Sequence, residues 1–383
     1  MQNNPFSGIG LPRADMLFWA DRREFKERLI SFLKSTNNPN VKPLVIAGDY
    51  GSGKTHALLF SKITCDQSNP PILSVYISSP GSSFGELYKK IIEALRFDDV
   101  VLTFDKLISK NKERILSAIE KVSPEREELR HVESLSTERI VRRSFPDIDS
   151  DLAIVLAQVY NDRNLDLARS WLLGRPLAKA ELSRLNVSKS ISTDDVAQNI
   201  LGDILTIVIN DVQQVVLLID EFEDIENLSK KDVVEYLKAF RKLLDQNIAG
   251  LKIILAWTGP SYRDFIEEKG SFSRGKAYSA LSDRLKYNVE WLNALKGKDL
   301  ETFISETISR TSDKPLIECV EPKALRFLED QISQAQPRQL NVVLNKAFQL
   351  AIEKEVFPIE MRVINEALIQ TGTLGKKATM KVA

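Results

Sequence analysis

The chain has 383 residues, of which 43% are hydrophobic and 28% charged. That is enough apolar material for a large core and two or three packed units, and it excludes a disordered, collagenous or small disulfide-stapled chain. The 53 lysines and arginines balance 53 aspartates and glutamates, with an isoelectric point near 6.8, which excludes a globally basic nucleic-acid coat protein but leaves room for a local basic patch.

Two cysteines, Cys65 and Cys319, and two histidines, His56 and His131, offer no zinc spacing and suit a reducing compartment. The first residues lack a charged segment followed by an apolar one, so no signal peptide is expected. The longest apolar run, Val215–Ile219, is far too short to span a bilayer. The expectation is a cytoplasmic protein without membrane contact.

Spacing of apolar residues by three and four predicts a helix over 21–34, with Phe25, Leu29, Ile30 and Leu33 on one face, closed by the loop 37–40. A buried strand over 44–47 leads into a glycine-rich turn and a helix over 54–62. A second strand is expected at 72–77 and a helix at 84–95. From 96 to 210 the pattern is helical and highly charged, without convincing strands. Strands follow at 215–220 and 251–257, with a helix at 229–245 between them and a short strand at 287–291 after them. The remainder is helical, at 299–310, 322–333, 337–353 and 358–371.

Strands alternating with helices imply an α/β fold with a parallel sheet covered on both faces. The expected organisation is an N-terminal segment and helix (1–40), an α/β core (41–292) interrupted by a helical insertion (97–210), a small all-helical unit (293–372) and a frayed, flexible tail (373–383).

Gly48-Asp49-Tyr50-Gly51-Ser52-Gly53-Lys54-Thr55 matches G-x-x-x-x-G-K-[ST] and lies between a strand and a helix, where a phosphate-binding loop belongs. Its glycines let backbone N–H groups close around phosphate oxygens, and the helix N-terminus adds positive partial charge. Lys54 is the candidate for the β- and γ-phosphates of a nucleoside triphosphate and Thr55 for Mg²⁺. His56 follows as a helix residue packing behind the loop. The apolar strand 215–219 ends in Asp220 and Glu221. Asp220 is placed for the Mg²⁺ shell, and Glu221 to polarise an attacking water. Glu223, Asp224 and Glu226 are expected to form a solvated acidic face.

With these motifs in place, the chain resembles the AAA+ P-loop ATPases, in particular their initiator-like branch (origin-recognition and STAND-related). Residues 18–25, Phe-Trp-Ala-Asp-Arg-Arg-Glu-Phe, resemble the N-terminal box of that branch, which implies that Phe18 and Arg22 lie beside the adenine; Asp21 replaces the usual glycine. The strand 251–259 resembles a sensor-1 strand, implying that Thr258 meets the γ-phosphate or the lytic water. Arg284 stands where the family places an arginine finger that enters the neighbouring subunit, which implies a homo-oligomer; the plain alternative is a surface arginine paired with Asp283. Residues 335–344, with Pro337 and Arg338, resemble a sensor-2 helix, implying that Arg338 points from the lid toward the γ-phosphate.

A narrower resemblance links the segment around Trp171-Leu172-Leu173-Gly174, and the loop Gly-Asp-Tyr-Gly-Ser-Gly-Lys-Thr-His, to ATP-binding proteins of BREX-type phage-defence systems. Together the resemblances imply an oligomeric ATPase with ATP and Mg²⁺, acting as a switch or remodeller on DNA or a DNA-bound protein complex in defence, mobile-element or replication-type processes. The other reading is a nucleotide-gated adaptor that binds no DNA and docks a protein partner through the helical insertion, with Trp171 in the docking surface.

Overall fold

The computed structural model describes residues 4–7, 20, 22–35, 42–96, 101–104, 106, 109–110, 137–161, 163–269, 272, 276–310, 312–332 and 336–373. The adenine-side expectation for Phe18 and the tail at 374–383 lie outside these residues.

Among the described residues five strands form one sheet: β1 (Leu44–Gly48), β2 (Leu73–Ile77), β3 (Val215–Ile219), β4 (Leu251–Thr258) and β5 (Val289–Leu292). All pairings are parallel, in the order β2-β3-β4-β1-β5. β1 and β3 are buried along their whole length, which is why they are unbroken apolar runs. Their side chains still divide by twos. Val45, Ala47, Leu217 and Ile219 enter the core on one face, whereas Leu44, Ile46, Val216 and Leu218 enter the core on the other.

The second face is covered by α1 (Arg23–Lys34) and α2 (Lys54–Asp66), through Phe25, Leu29, Leu33, Leu58 and Phe60. The first face carries α3 (Phe84–Ala94), the helices of the insertion, and α9 (Lys230–Asp245), α10 (Gly259–Ile266) and α11 (Lys276–Leu285). The described insertion helices are α4 (Thr137–Ser144), α5 (Ser150–Tyr160), α6 (Leu165–Leu172), α7 (Lys179–Leu185) and α8 (Asp194–Val212). Side-chain oxygens cap several starts: Ser83 accepts from Glu86 N–H at 3.1 Å, and Asp149 from Asp151 N–H at 2.9 Å.

The insertion does not stand apart from the sheet. Its apolar residues are continuous with the core of the first face, and Tyr88 Oη on α3 donates to Leu172 O at 2.5 Å. Trp171 is fully buried, and its Nε1 donates to Lys189 O at 2.8 Å. Asp151, also buried, accepts from Ser188 N–H and Oγ and from Lys189 N–H. Trp171 is therefore core, and the expectation that it belongs to a docking surface is corrected: an indole of this size stabilises more when buried with its N–H paired than it could on the surface.

The C-terminal helices α12 (Lys298–Ser309), α13 (Leu316–Cys319), α14 (Pro322–Gln331), α15 (Pro337–Glu353) and α16 (Met361–Gln370) enclose a separate core. Phe6 and Ala20 are part of that core, whereas α1 belongs to the sheet, so the segment 1–40 divides between two cores. Phe6 stacks on Phe348 at 5.3 Å, and Asn4 Nδ2 donates to Asn345 O at 2.8 Å. The observed fold is thus α/β, with a phosphate-type loop after β1, a large helical insertion and a small all-helical C-terminal unit. Among the described residues no helix is long and apolar enough to cross a membrane.

One buried charge ties α1 to the sheet. Lys252 on β4 is 3% exposed, and its Nζ donates to Leu33 O at 2.7 Å and Ser35 O at 2.5 Å, at the C-terminal end of the helix. Burial pushes its ammonium from the ordinary 10.5 down to about 8. Between those values the unfolded chain keeps a proton that the folded chain has released, so stability rises with pH across that window. In denaturant titrations from pH 7 to 10, the wild type is expected to gain on Lys252→Met as the pH rises, by at most about 3 kcal/mol. Parallel curves would show that the ammonium remains as well solvated as in the unfolded chain.

Candidate nucleotide-binding site

Because the strands are parallel, β1, β3 and β4 all finish at one end of the sheet, and the site is built there. β1 pairs on both sides at its last residue, with Gly48 opposite Thr258 and Leu292. A Cβ at Gly48 would stand 2.5 Å from Ser52 Oγ and 2.9 Å from Leu292 O, so only glycine lets the loop fold back this closely. Gly51 (φ +77°) and Gly53 (φ +102°) adopt the left-handed conformations that turn the chain into α2.

Ser52 is buried, and its Oγ has no hydrogen-bond partner among the described residues. Tyr50, at the tip, is 78% exposed. Lys54 Nζ donates to Gly48 O at 2.9 Å and Asp49 O at 3.2 Å, so the ammonium closes over the carbonyls of its own loop. Thr55 and His56 lie half-buried in the first turn of α2.

Facing the loop is the end of β3. Asp220 is buried; its Oδ2 accepts from Tyr76 Oη at 3.0 Å and its Oδ1 from Glu221 N–H at 3.0 Å. Glu221 takes a left-handed backbone (φ +49°) and is exposed, and the chain continues into a 3₁₀ turn, Phe222–Asn227. That turn folds the following acids back toward the site. Glu223 Oε2 accepts from Thr258 N–H at 3.1 Å, and Asp224 accepts from Ser79 Oγ at 2.9 Å. Glu226 has a buried Oε1 without a partner among the described residues.

The expectation of a solvated acidic face at Glu223, Asp224 and Glu226 is therefore corrected. The left-handed residue at Glu221 reverses the chain, so that all three are half-buried and Glu223 and Asp224 accept hydrogen bonds from protein groups. Glu223 and Tyr76 are the residues that sequence reasoning missed. The only sequence signal for Glu223 was its place three residues after Asp220, and for Tyr76 its place on the neighbouring strand.

The charges are coupled. Burial lowers the Lys54 pKa, and the acids opposing that shift are Glu223, Asp220, Asp49 and Glu221, in that order. Burial raises Glu221, with the charges of Asp224 and Asp220 adding to it and Lys54 opposing. Burial also raises Glu223, and raises Glu226 to about 7 with help from Asp264 and Glu223. Tyr76 is raised by burial and by the Asp220 charge.

Thr258 ends β4 and starts α10, yet its side chain makes no capping hydrogen bond. Arg338, in the first turn of α15, donates its backbone N–H to Gly51 O at 3.2 Å. A Cβ at Gly51 would stand 2.8 Å from Arg338 Cβ. The C-terminal unit is thus seated directly on the glycine loop, and Arg338 itself is exposed there.

Two further candidate residues are engaged by protein partners. Arg284 ends α11 and is ion-paired with Asp245 on α9, while Asp283 pairs with Lys286; the surface pairing considered from sequence had the wrong acid. Arg22, left-handed (φ +61°) just before α1, donates to Asn293 O, one residue beyond Leu292, which pairs with Gly48, so it lies at the same end of the sheet as the glycine loop.

The residues present fit a small divalent cation. Among the described residues no group of three His, Cys, Asp or Glu could hold a metal alone. A carboxylate (Asp220) and a hydroxyl (Thr55) are hard oxygen donors of the kind Mg²⁺ takes when phosphates and water complete its shell. The Ser52 hydroxyl is buried and without a partner among the described residues, so one polar group of the loop is left for a ligand.

Comparison with known proteins extends this picture. None of the curated proteins matches the chain. Three solved structures are similar to it at 12% identity. They are domain III of the Thermotoga maritima replication initiation protein DnaA (97% of this chain, 98% of that one, TM-score 0.40), Drosophila ORC bound to DNA (97% and 65%, 0.46) and the Thermotoga maritima RuvB Holliday junction branch migration motor (92% and 70%, 0.40). The family model of the BREX system ATP-binding proteins BrxC/D matches residues 18–301, a span that contains the glycine loop, Asp220, the whole sheet and the insertion. The chain belongs to the BREX system ATP-binding protein family BrxC/D.

Proposed function

We propose that this protein is an AAA+ ATPase that binds ATP with Mg²⁺ in the glycine loop, hydrolyses it, and works as an oligomeric switch or remodeller on DNA or a DNA-bound complex in phage defence. The observation that carries the reading is the convergence of Lys54, the carboxylates of Asp220, Glu221 and Glu223, and the Arg338 helix at one end of the sheet. Membership of the BREX ATP-binding family supports the ligand and the setting.

In this reading Lys54 leaves its loop carbonyls for the phosphates, whose negative charge offsets the burial of the ammonium. Asp220 and Thr55 hold the metal, which when bound supplies positive charge against the charge developing on the phosphates. Glu221, exposed beside the site with its proton affinity raised, orients and deprotonates the attacking water. Thr258 presents its hydroxyl between β1 and β3, and Arg338 reports phosphate occupancy to the C-terminal unit through Gly51. Arg284 acts in a neighbouring subunit's site after release from Asp245.

Calorimetry and single-turnover hydrolysis test the core of this. Lys54→Ala is expected to weaken ATP binding at least about 30-fold, the loss of a charge-assisted phosphate contact. Glu221→Gln is expected to bind ATP within a few-fold of wild type and hydrolyse it about 10²–10⁴ times more slowly. A wild type that binds no nucleoside triphosphate would end the reading.

For the oligomer, turnover per subunit should rise with protein concentration and lose that rise in Arg284→Ala, with ATP affinity unchanged. A dilute monomer as fast as the assembly would remove Arg284 from catalysis. For the DNA target, duplex or single-stranded DNA is expected to bind only with a non-hydrolysable ATP analogue, and less as salt increases. Absence of binding at low salt would favour a protein-only partner.

A further inference from the structure

We infer that Glu223 is a positioning residue for ATP hydrolysis, a carboxylate strut between the end of β3 and the end of β4 that holds Thr258 in place opposite Lys54. The inference rests on the hydrolytic reading above and adds to it a residue that neither the loop motif nor the paired acids identify.

Three observations converge on Glu223. Its Oε2 accepts the Thr258 N–H at 3.1 Å, fixing the peptide that carries the Thr258 side chain. The Thr258 hydroxyl is left out of the capping of α10, although threonine is a favoured cap, so it is available to a ligand. Of the acids acting on Lys54, Glu223 has the largest effect, ahead of Asp220 and Glu221. One carboxylate therefore bears on both the ammonium and the threonine.

The strut is held from behind by aromatic packing. Phe222, the residue before it, meets the Trp257 ring edge-on at 4.9 Å and Phe240 at 5.2 Å. Trp257 immediately precedes Thr258, and its Nε1 donates to Ser261 Oγ at 2.7 Å. The 3₁₀ turn and the tip of β4 are thus locked together by Phe222 against Trp257 on the inside and by Glu223 against Thr258 at the site. Placement of this kind matters because a shift of about 1 Å in a catalytic group can cost on the order of 100-fold in rate.

The test compares Glu223→Ala with Glu223→Gln, which keeps an oxygen for the Thr258 N–H. The readouts are ATP affinity by calorimetry, single-turnover hydrolysis, and hydrogen exchange of the peptide containing Thr258. Glu223→Ala is expected to lower kcat about 10- to 100-fold with ATP affinity within about threefold of wild type, and to speed exchange at Thr258. Glu223→Gln should recover most of the exchange protection and at least part of the rate. The inference is overturned if the alanine variant keeps wild-type turnover and exchange, if its ATP affinity falls in step with kcat, or if glutamine restores neither protection nor rate. Should the wild type itself show no turnover, the hydrolytic reading fails, and unchanged Thr258 exchange in both variants would separately sink the strut.

Discussion

One ammonium among several carboxylates governs the end of the sheet. Lys54 is pulled toward its neutral form by burial and toward its charged form by Glu223, Asp220, Asp49 and Glu221. The local charge is negative, and the loop's own carbonyls occupy the ammonium. In the reading proposed above, a phosphate entering a site of this sign would need an accompanying cation. The sheet order makes this arrangement available. β4 lies between β1 and β3, so Thr258 ends between the loop and the acids.

The same end of the sheet is where the C-terminal unit attaches. The contact is made by main chain, Arg338 N–H to Gly51 O, and by the absence of a side chain at Gly51. A backbone contact of this kind depends on loop shape more than on side-chain identity. The insertion is coupled differently. Trp171, Leu172 and Asp151 build a core continuous with the one beneath β3, so the insertion buttresses the sheet in addition to presenting a surface.

Much of the architecture was readable before any coordinates. The glycine loop is contiguous, its glycines have conformational reasons, and the strand ending in Asp220 is an unbroken buried run. Readings that failed depended on partners far away in the chain. For Trp171 docking surface and helical core were both open, and the anchor that decides for core, Lys189 O, lies outside its own helix. The acids after Glu221 were taken for a solvated face because a left-handed residue and a 3₁₀ turn leave no periodic trace.

Local chemistry, then, named the candidates for phosphate and metal, since a loop's backbone freedom and a strand's burial are written in a few adjacent residues. Tertiary packing decided the rest. Glu223 reaches Thr258 across 35 residues, and Tyr76 reaches Asp220 across 144. Arg284 is held by Asp245 on another helix, and Phe6 belongs to the C-terminal core. Such pairings come from the crossover order of the strands and from side-chain fit in the core, quantities that arise only when the chain closes on itself.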